Sequence, residues 1–349
     1  MATSKRTFWA MPAIGIAPGA KLAGRDPSHA EFIPGVQSCG ITTNYNLEQI
    51  FELGQLSVYE DLEEVPNIEI TIEKTIDQFN GLMARTMNNN GATADIVTHQ
   101  NNECDVWFTV NLDTVKNAGD AAPLADVHCS GMFLSSYSAN FVTDGFFTES
   151  ATLVGNHKLW DSAGGTKMSG IPDADPGGAN PLDTGVVKRR QNFYFATLPV
   201  VIDSLATADI AVNSATVSVD LGREEMNILG QRLPYHRFVT FPVEVSCEIE
   251  LFVTDIKSLV GGQRLDALPN ATNLVEEPIS IIVETDTVSN VQTTGAGATL
   301  HTWDLGTKNK LQSITWGGGD TGGANSTMTL SYRNFNDLSY TGPANLNIT

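Results

Sequence analysis

Positive charge is scarce in this 349-residue chain: 20 lysines and arginines stand against 40 aspartates and glutamates, a formal net charge of −20. That balance argues against a protein that grips nucleic acid by neutralising its phosphates. Charge of either sign is limited to 17% of residues, below the usual ~25%, while Gly, Thr, Asn and Ser are plentiful, the composition of a turn-rich β protein. The four cysteines, Cys39, Cys104, Cys129 and Cys247, lie far apart and form no CxxC pair, so neither a disulfide framework nor a thiolate metal site is indicated. There is no 18-residue apolar run and no charged n-region followed by an apolar h-region. The expectation is therefore no membrane insertion by this chain, no secretory signal, and synthesis in the cytoplasm. Catalytic signatures are missing too: no GxSxG, no HExxH, no GxxxxGK[ST], and no GxGxxG set between a strand and a helix. The six histidines, His29, His99, His128, His157, His236 and His301, show no metal-ligand spacing. The acid pairs Glu63-Glu64 and Glu224-Glu225 would serve glycoside hydrolysis only if two carboxylates faced each other across a cleft, which adjacency does not provide. Neither an enzyme nor a cofactor is expected.

What is present is a pair of amphipathic acidic strands. Along Asn67 to Asp77, Ile68, Ile70, Ile72 and Ile76 alternate with Glu69, Thr71, Glu73, Thr75 and Asp77. Along Val243 to Val253, Val243, Val245, Cys247, Ile249, Leu251 and Val253 share one face, and Glu244, Ser246, Glu248, Glu250 and Phe252 the other. Period two with β-branched residues reads as strand, one face buried and one wet. A one-residue slip would put carboxylates in the core, so the register is well specified. Cys247 falls on the apolar face, as a buried free thiol. Between Glu48 and Asp77 nine acids stand against Lys74 alone, either a solvated face or a functional surface.

The chain opens with residues 1–35, where Pro12, Pro18, Pro27 and Pro34 break any element; this predicts an extended N-terminal arm. Phe8, Trp9, Met11 and Ile14 make it apolar for a free tail, so either it lies against its own domain or an adjacent subunit, or it is a disordered terminus. Residues 36–349 read as one β-sandwich or barrel domain with a long loop near 155–185. Strands are expected over Cys39 to Leu56 and Asp105 to Leu112, with an acidic loop or hairpin over Val58 to Val65 and a weak helix over Gln78 to Asn90. The clearest hairpin is Met132 to Thr143, Asp144-Gly145, then Phe146 to Val154, because a DG pair between alternating runs is a strong turn signal. Asp173 and Asp175 lie in a Gly/Pro loop without the later ligands of a calcium site, so a plain turn is expected and no metal. Lys188-Arg189-Arg190, the one basic cluster, is expected to pair with an acidic neighbouring subunit. Ser214 to Leu221, Ile279 to Thr285, Leu311 to Trp316 and Thr327 to Tyr332 read as strands, GREEMNILG (Gly222 to Gly230) as a helical turn, and Ile256 to Val260 as a short helix. No repeat of fixed period is visible.

Several stretches together resemble the major tail tube proteins of tailed bacteriophages. They are Ile33 to Ile41, Phe51 to Asp77, Phe147 to Trp160, Leu221 to Glu250 and Lys310 to Asn325, about a third of the chain spread over its length. The resemblance implies a mainly β subunit with two packed antiparallel sheets, a short helix, an extended arm and long loops. Inner sheets would join across subunits into a hexameric β-barrel, rings would stack into the virion tail tube, and DNA would pass through the lumen without specific binding. Partners implied are further copies of the chain and tail sheath or terminator and baseplate proteins. On this reading Glu69, Glu73, Glu244, Glu248 and Glu250 face the lumen, and Phe8, Trp9, Met11 and Ile14 belong to an inter-subunit arm. The alternatives are another virion β protein, such as a head decoration or baseplate component, and a secreted β-sandwich binding module, which the missing signal and unpaired cysteines disfavour.

Overall fold

A computed structural model describes residues 12–19, 29–54, 56–88, 91–111, 122–161, 168, 186–197, 210–253, 276–285, 297–317 and 325–343. The protein is mainly β, with several antiparallel sheets and one short helix. The first half contains β1 (Pro12–Pro18), β2 (Glu31–Phe32), β3 (Val36–Asn44), β4 (Leu47–Phe51), β5 (Val58–Glu63), β6 (Asn67–Thr75), α1 (Leu82–Met87), β7 (Thr93–Asp95), β8 (Cys104–Val110), β9 (Ala125–Val142), β10 (Thr148–Gly155) and β11 (His157–Asp161). The second contains β12 (Phe193–Thr197), β13 (Ile210–Asp220), β14 (Arg223–Met226), β15 (His236–Val239), β16 (Glu244–Val253), β17 (Ser280–Glu284), β18 (Thr299–Asp304), β19 (Lys310–Gly317), β20 (Thr327–Phe335) and β21 (Ser339–Thr341).

Eight strands form one continuous sheet in the order β19-β20-β16-β13-β9-β10-β6-β3. The first part of β9 leaves this sheet to pair with β8 on one side and β11 on the other, while β1 pairs with β8. A separate five-stranded sheet runs β12-β17-β18-β21-β7, and two ribbons, β4-β5 and β14-β15, stand apart. The two sheets expected from the sequence are thus resolved into more pieces, and among the described residues the eight-stranded sheet stays open at β3 and β19. The alternation read from sequence explains the core: Ile68, Ile70 and Ile72 of β6 and Val245, Cys247 and Ile249 of β16 are fully buried in one cluster, each large side chain contributing about 1.5–3 kcal/mol. Phe141 of β9 packs edge-on against Trp303 of β18 at 5.1 Å, joining the large sheet to the five-stranded one. The Asp144-Gly145 turn closes β9 onto β10, with Gly145 at φ +119, where a residue with a Cβ is disfavoured.

The strand order repeats. Spatially, β3-β6-β10-β9 is followed by β13-β16-β20-β19, and in both sets the first two strands are joined through a ribbon and the last two are visited in reverse. The accompanying strands follow suit: β1-β8-β9-β11 matches β12-β17-β18-β21. Irregularities recur at the same places. The β3-β6 ladder shifts between Val36 and Ser38, and the β13-β16 ladder between Val212 and Ser214. In β9 the ladder to β10 skips from Ser136 to Leu134, and the β19-β20 ladder shifts between Leu311 and Ser313. Bulges are specific features of a fold rather than noise, so the described strands of the large sheet form two units of one pattern, each carrying a V-x-S and an L-x-S tripeptide at its bulges. No repeat is visible in the sequence because only these tripeptides are alike in the two units.

Other expectations are corrected. Within residues 1–35, β1 pairs along its whole length with β8 of the same chain, and Ile14 is buried in that chain's own core. Phe8, Trp9 and Met11 lie outside the described residues, as do Asp173, Asp175 and Ile256 to Val260. GREEMNILG forms β14 and the turn after it, with Gly230 at φ +88, instead of a helical turn. Lys188 is buried beneath the sheet, and only Arg189 and Arg190 of that cluster are exposed. The expected helix is confined to Leu82–Met87, every residue of it buried.

Candidate functional site: the polar face of the large sheet

One face of the eight-stranded sheet covers the core, and the other carries short polar side chains and carboxylates. Register places Glu73 opposite Ser150, Ser150 opposite Ser138, Ser138 opposite Ser218, and Ser218 opposite Ser246. This row ties β6 to β16, so Glu69 and Glu73 share a face with Glu244, Glu248 and Glu250. The structure brings each set together on its own strand but does not merge them. Three strands intervene, a separation of roughly 19 Å at about 4.8 Å per strand. An open concavity of about 430 Å³ lies between, lined by Ser136, Ser138, Ser150, Ser218, Asp220, Glu244 and Ser246.

Hydroxyls and amides orient the carboxylates. Ser38 donates to Glu73 at 3.2 Å, and its counterpart Ser214 donates to Glu250 at 3.2 Å, joined there by Asn213 at 2.8 Å. Ser331 donates to Glu248 at 3.4 Å. These contacts are exposed or half-exposed and hold the acids in place without neutralising them. Sequence reasoning missed two bases at the border of this face, Arg333 opposite Ser246 and Lys310 opposite Arg333; both are exposed. It also misjudged the end of β6. Thr75 and Asp77 are buried, and the alternation stops at Glu73.

Lys74, counted from sequence as the lone base of an acidic run, is fully buried on the core side. Its parity with Ile68, Ile70 and Ile72 was the available signal. Lys74 pairs with Asp77 at 2.9 Å and Glu149 at 3.7 Å. Glu149 accepts from the backbone N–H of Leu82 at 3.0 Å and from the Tyr137 hydroxyl at 3.1 Å. Burial raises its carboxyl above the ordinary range, opposed by the Lys74 charge and these hydrogen bonds. His301 donates from Nε2 to the Asp77 carbonyl at 2.6 Å and accepts at Nδ1 from Tyr340 at 2.7 Å, and burial lowers its pKa to about 3. This cluster has acids, a lysine and a histidine, yet each partner is another group of the chain packed in the core. It is a structural clamp and offers no room for a substrate. Burial lifts the thiol of Cys39 to about 11 and that of Cys247 to about 12, so neither is a reactive thiolate at neutral pH. Among the described residues no group of three or more His, Cys, Asp or Glu could hold a metal ion, and no helix is long and apolar enough to cross a membrane.

No family model and no curated protein matches the chain. Among solved structures it is similar to the tube-terminating cap of the anti-feeding prophage, with a TM-score of 0.34 and 12% identity over 47% of this chain and 95% of that one. It is also similar to the anti-feeding prophage baseplate, with a TM-score of 0.30 and 11% identity over 46% of this chain and 98% of that one. Neither overlap defines the fold of this chain, which rests on its own strand order.

Proposed function

We propose that the chain is a structural subunit of a phage tail that assembles with further copies of itself into a hollow tube, its polar sheet face lining the bore through which DNA passes. The observation that carries this reading is the placement of Glu69, Glu73, Glu244, Glu248 and Glu250 on one exposed face of a sheet whose other face is the core and whose edge strands are unpaired among the described residues. The sequence resemblance to tail tube proteins supports it, as does the need to cover two long strand edges that would otherwise template aggregation. An acidic bore suits a conduit: a basic wall would release counterions and hold the duplex, whereas a like-charged wall acting through a screening length of about 8 Å keeps the polymer off the wall and sliding. Tail sheath or terminator and baseplate proteins are the partners that such a tube would meet at its surface and ends.

Electron microscopy of the purified protein tests assembly: hollow tubes or rings are expected, and isolated globules would remove the reading. The role of the acids is tested with Glu69, Glu73, Glu244 and Glu248 all changed to Lys. Particles carrying this variant should release DNA slowly at low salt and recover as salt rises, binding falling in log–log terms by about 0.9 per phosphate neutralised. Release at the wild-type rate at every ionic strength would make the acids a solvated surface only.

A further inference from the structure

The two open edges of the large sheet belong to opposite units, and inside the chain the same two kinds of edge already meet. The fourth strand of the first unit, β9, pairs with the first strand of the second, β13, through Thr216 opposite Asn140, Ser218 opposite Ser138 and Asp220 opposite Ser136. Among the described residues the unpaired ends are the corresponding strands of the other units, β3 and β19. We propose that β19 of one chain joins β3 of a second copy as β9 joins β13, so that one chain supplies two ring units and three chains close a ring.

The bulges fix the equivalences. Ser38 matches Ser214 and Ser313 matches Ser136, so the junction between chains sets Thr42 opposite Thr315, Gly40 opposite Gly317 and Asn44 opposite Ser313. Directions agree: β3 and β13 run one way, β9 and β19 the other, and the new pair is antiparallel like the old. Burial points to the missing neighbour. At the internal junction Ala215, Val217 and Val219 are buried to 4% exposure or less. Their counterparts Cys39, Ile41 and Thr43 on β3 are only half-buried, and Trp316 on β19 is 51% exposed. The ribbons agree as well. The β14-β15 ribbon is held by the first unit, Arg237 donating to Asn67 at 2.9 Å and Arg223 to the Leu134 carbonyl at 2.8 Å. The β4-β5 ribbon is exposed throughout, with no equivalent unit beneath it among the described residues.

The number three rests on the conduit reading. With strands about 4.8 Å apart and tilted by about 40°, a barrel has a backbone radius near 1 Å per strand. Two chains at eight strands each would leave a bore of roughly 22 Å after a side-chain layer of about 5 Å, with no hydration space around a duplex whose two grooves are each about 8 Å deep. Three chains leave roughly 38 Å by the same estimate. This replaces the six-chain ring implied by the resemblance with three chains bearing six units.

The test is Thr42→Cys combined with Thr315→Cys in a Cys39→Ser background, oxidised after assembly and dissolved in denaturant without reductant. Opposed strand positions lie within disulfide reach. Bands of one, two and three chains, with nothing above three, are expected, and either single variant should give none of this ladder. The mass of isolated rings of unmodified protein, read as a multiple of the 37.5 kDa chain, supplies a count that no substitution can disturb. A ladder or mass ending at six or any other number, or no cross-link, overturns the proposal; hollow tubes in that same sample would leave the conduit reading standing.

Discussion

At one position the two units answer the same packing problem in opposite ways. In the first unit the cross-strand neighbours on the core face are Lys74 and Glu149; in the second, the equivalent neighbours are Leu251 and Met328. All four are buried. The fold therefore does not need an ion pair there, and an apolar pair fills the place without charge desolvation. What the ionic version adds is connection. Through Lys74 and Glu149 the first unit holds Asp77, the first turn of α1 and Tyr137, and Tyr137 accepts from Trp303 of the second unit at 2.9 Å. Gly81 donates to Tyr340 of the second unit at 2.8 Å. The difference teaches that the cluster is a clamp between units, placed where a single unit would use hydrocarbon.

The largest effect should come from breaking that pair on one side. Lys74→Leu leaves Glu149 and Asp77 buried without their cation and should cost about 3–5 kcal/mol, read from denaturant midpoints. Glu149→Met should cost a similar amount, and the double variant, which imitates the second unit, should cost clearly less than the sum of the two. Strict additivity would show that the two side chains do not act as a pair.

His301 sharpens the comparison through pH. Its folded pKa of about 3 lies below the unfolded value near 6.5, so the neutral imidazole contributes stability that is fully present above about pH 6.5 and is lost as pH falls toward 3. Between pH 7 and 4.5 the wild type should lose about 2–3 kcal/mol more than His301→Gln, at about 1.4 kcal/mol per unit. Protonation of Glu149, whose pKa is raised, works in the opposite sense and is common to both proteins. Parallel acid limbs would refute the assignment of His301.

The ribbons give the smaller effects. Arg237 donates to Asn67 and to Asn156 and pairs with Glu225, so Arg237→Ala should cost about 2 kcal/mol and expose the β14-β15 ribbon to protease. On the β4-β5 ribbon Phe51 is 64% exposed, and Phe51→Ser should shift the stability of the dissociated chain by no more than about 0.5 kcal/mol while weakening assembly in sedimentation. A large loss of stability there would mean that the ribbon is anchored within its own chain.

Much of the large sheet was legible because burial on one face imposes period two. The alternation of β6 and β16 and the Asp144-Gly145 hairpin all appear as strands near the expected places. Short strands such as β11, β18 and β21 were not visible, since three to six residues are too few for periodicity to emerge. The duplication was hidden for a different reason. Core positions need only apolar volume or satisfied polarity, so Lys74 and Leu251, or Glu149 and Met328, fill equivalent places with unlike side chains, while the bulge tripeptides are alike where the backbone geometry repeats. The acids on the polar face were found by their alternation; Arg333 and Lys310 were missed because they reach that face from neighbouring strands, and only pairing reveals this.

The β9-β13 junction bears on how the proposed ring would come together from solution. Because β9 and β13 belong to one chain, dilution cannot separate the two units they join. In the three-chain ring proposed above, one of every two junctions would be made as the chain folds and only the other would wait for an encounter between molecules. Formation of that ring would depend on roughly the third power of subunit concentration, where six separate units would give about the sixth, so assembly would tolerate a scarcity of subunits that would stall an unfused design.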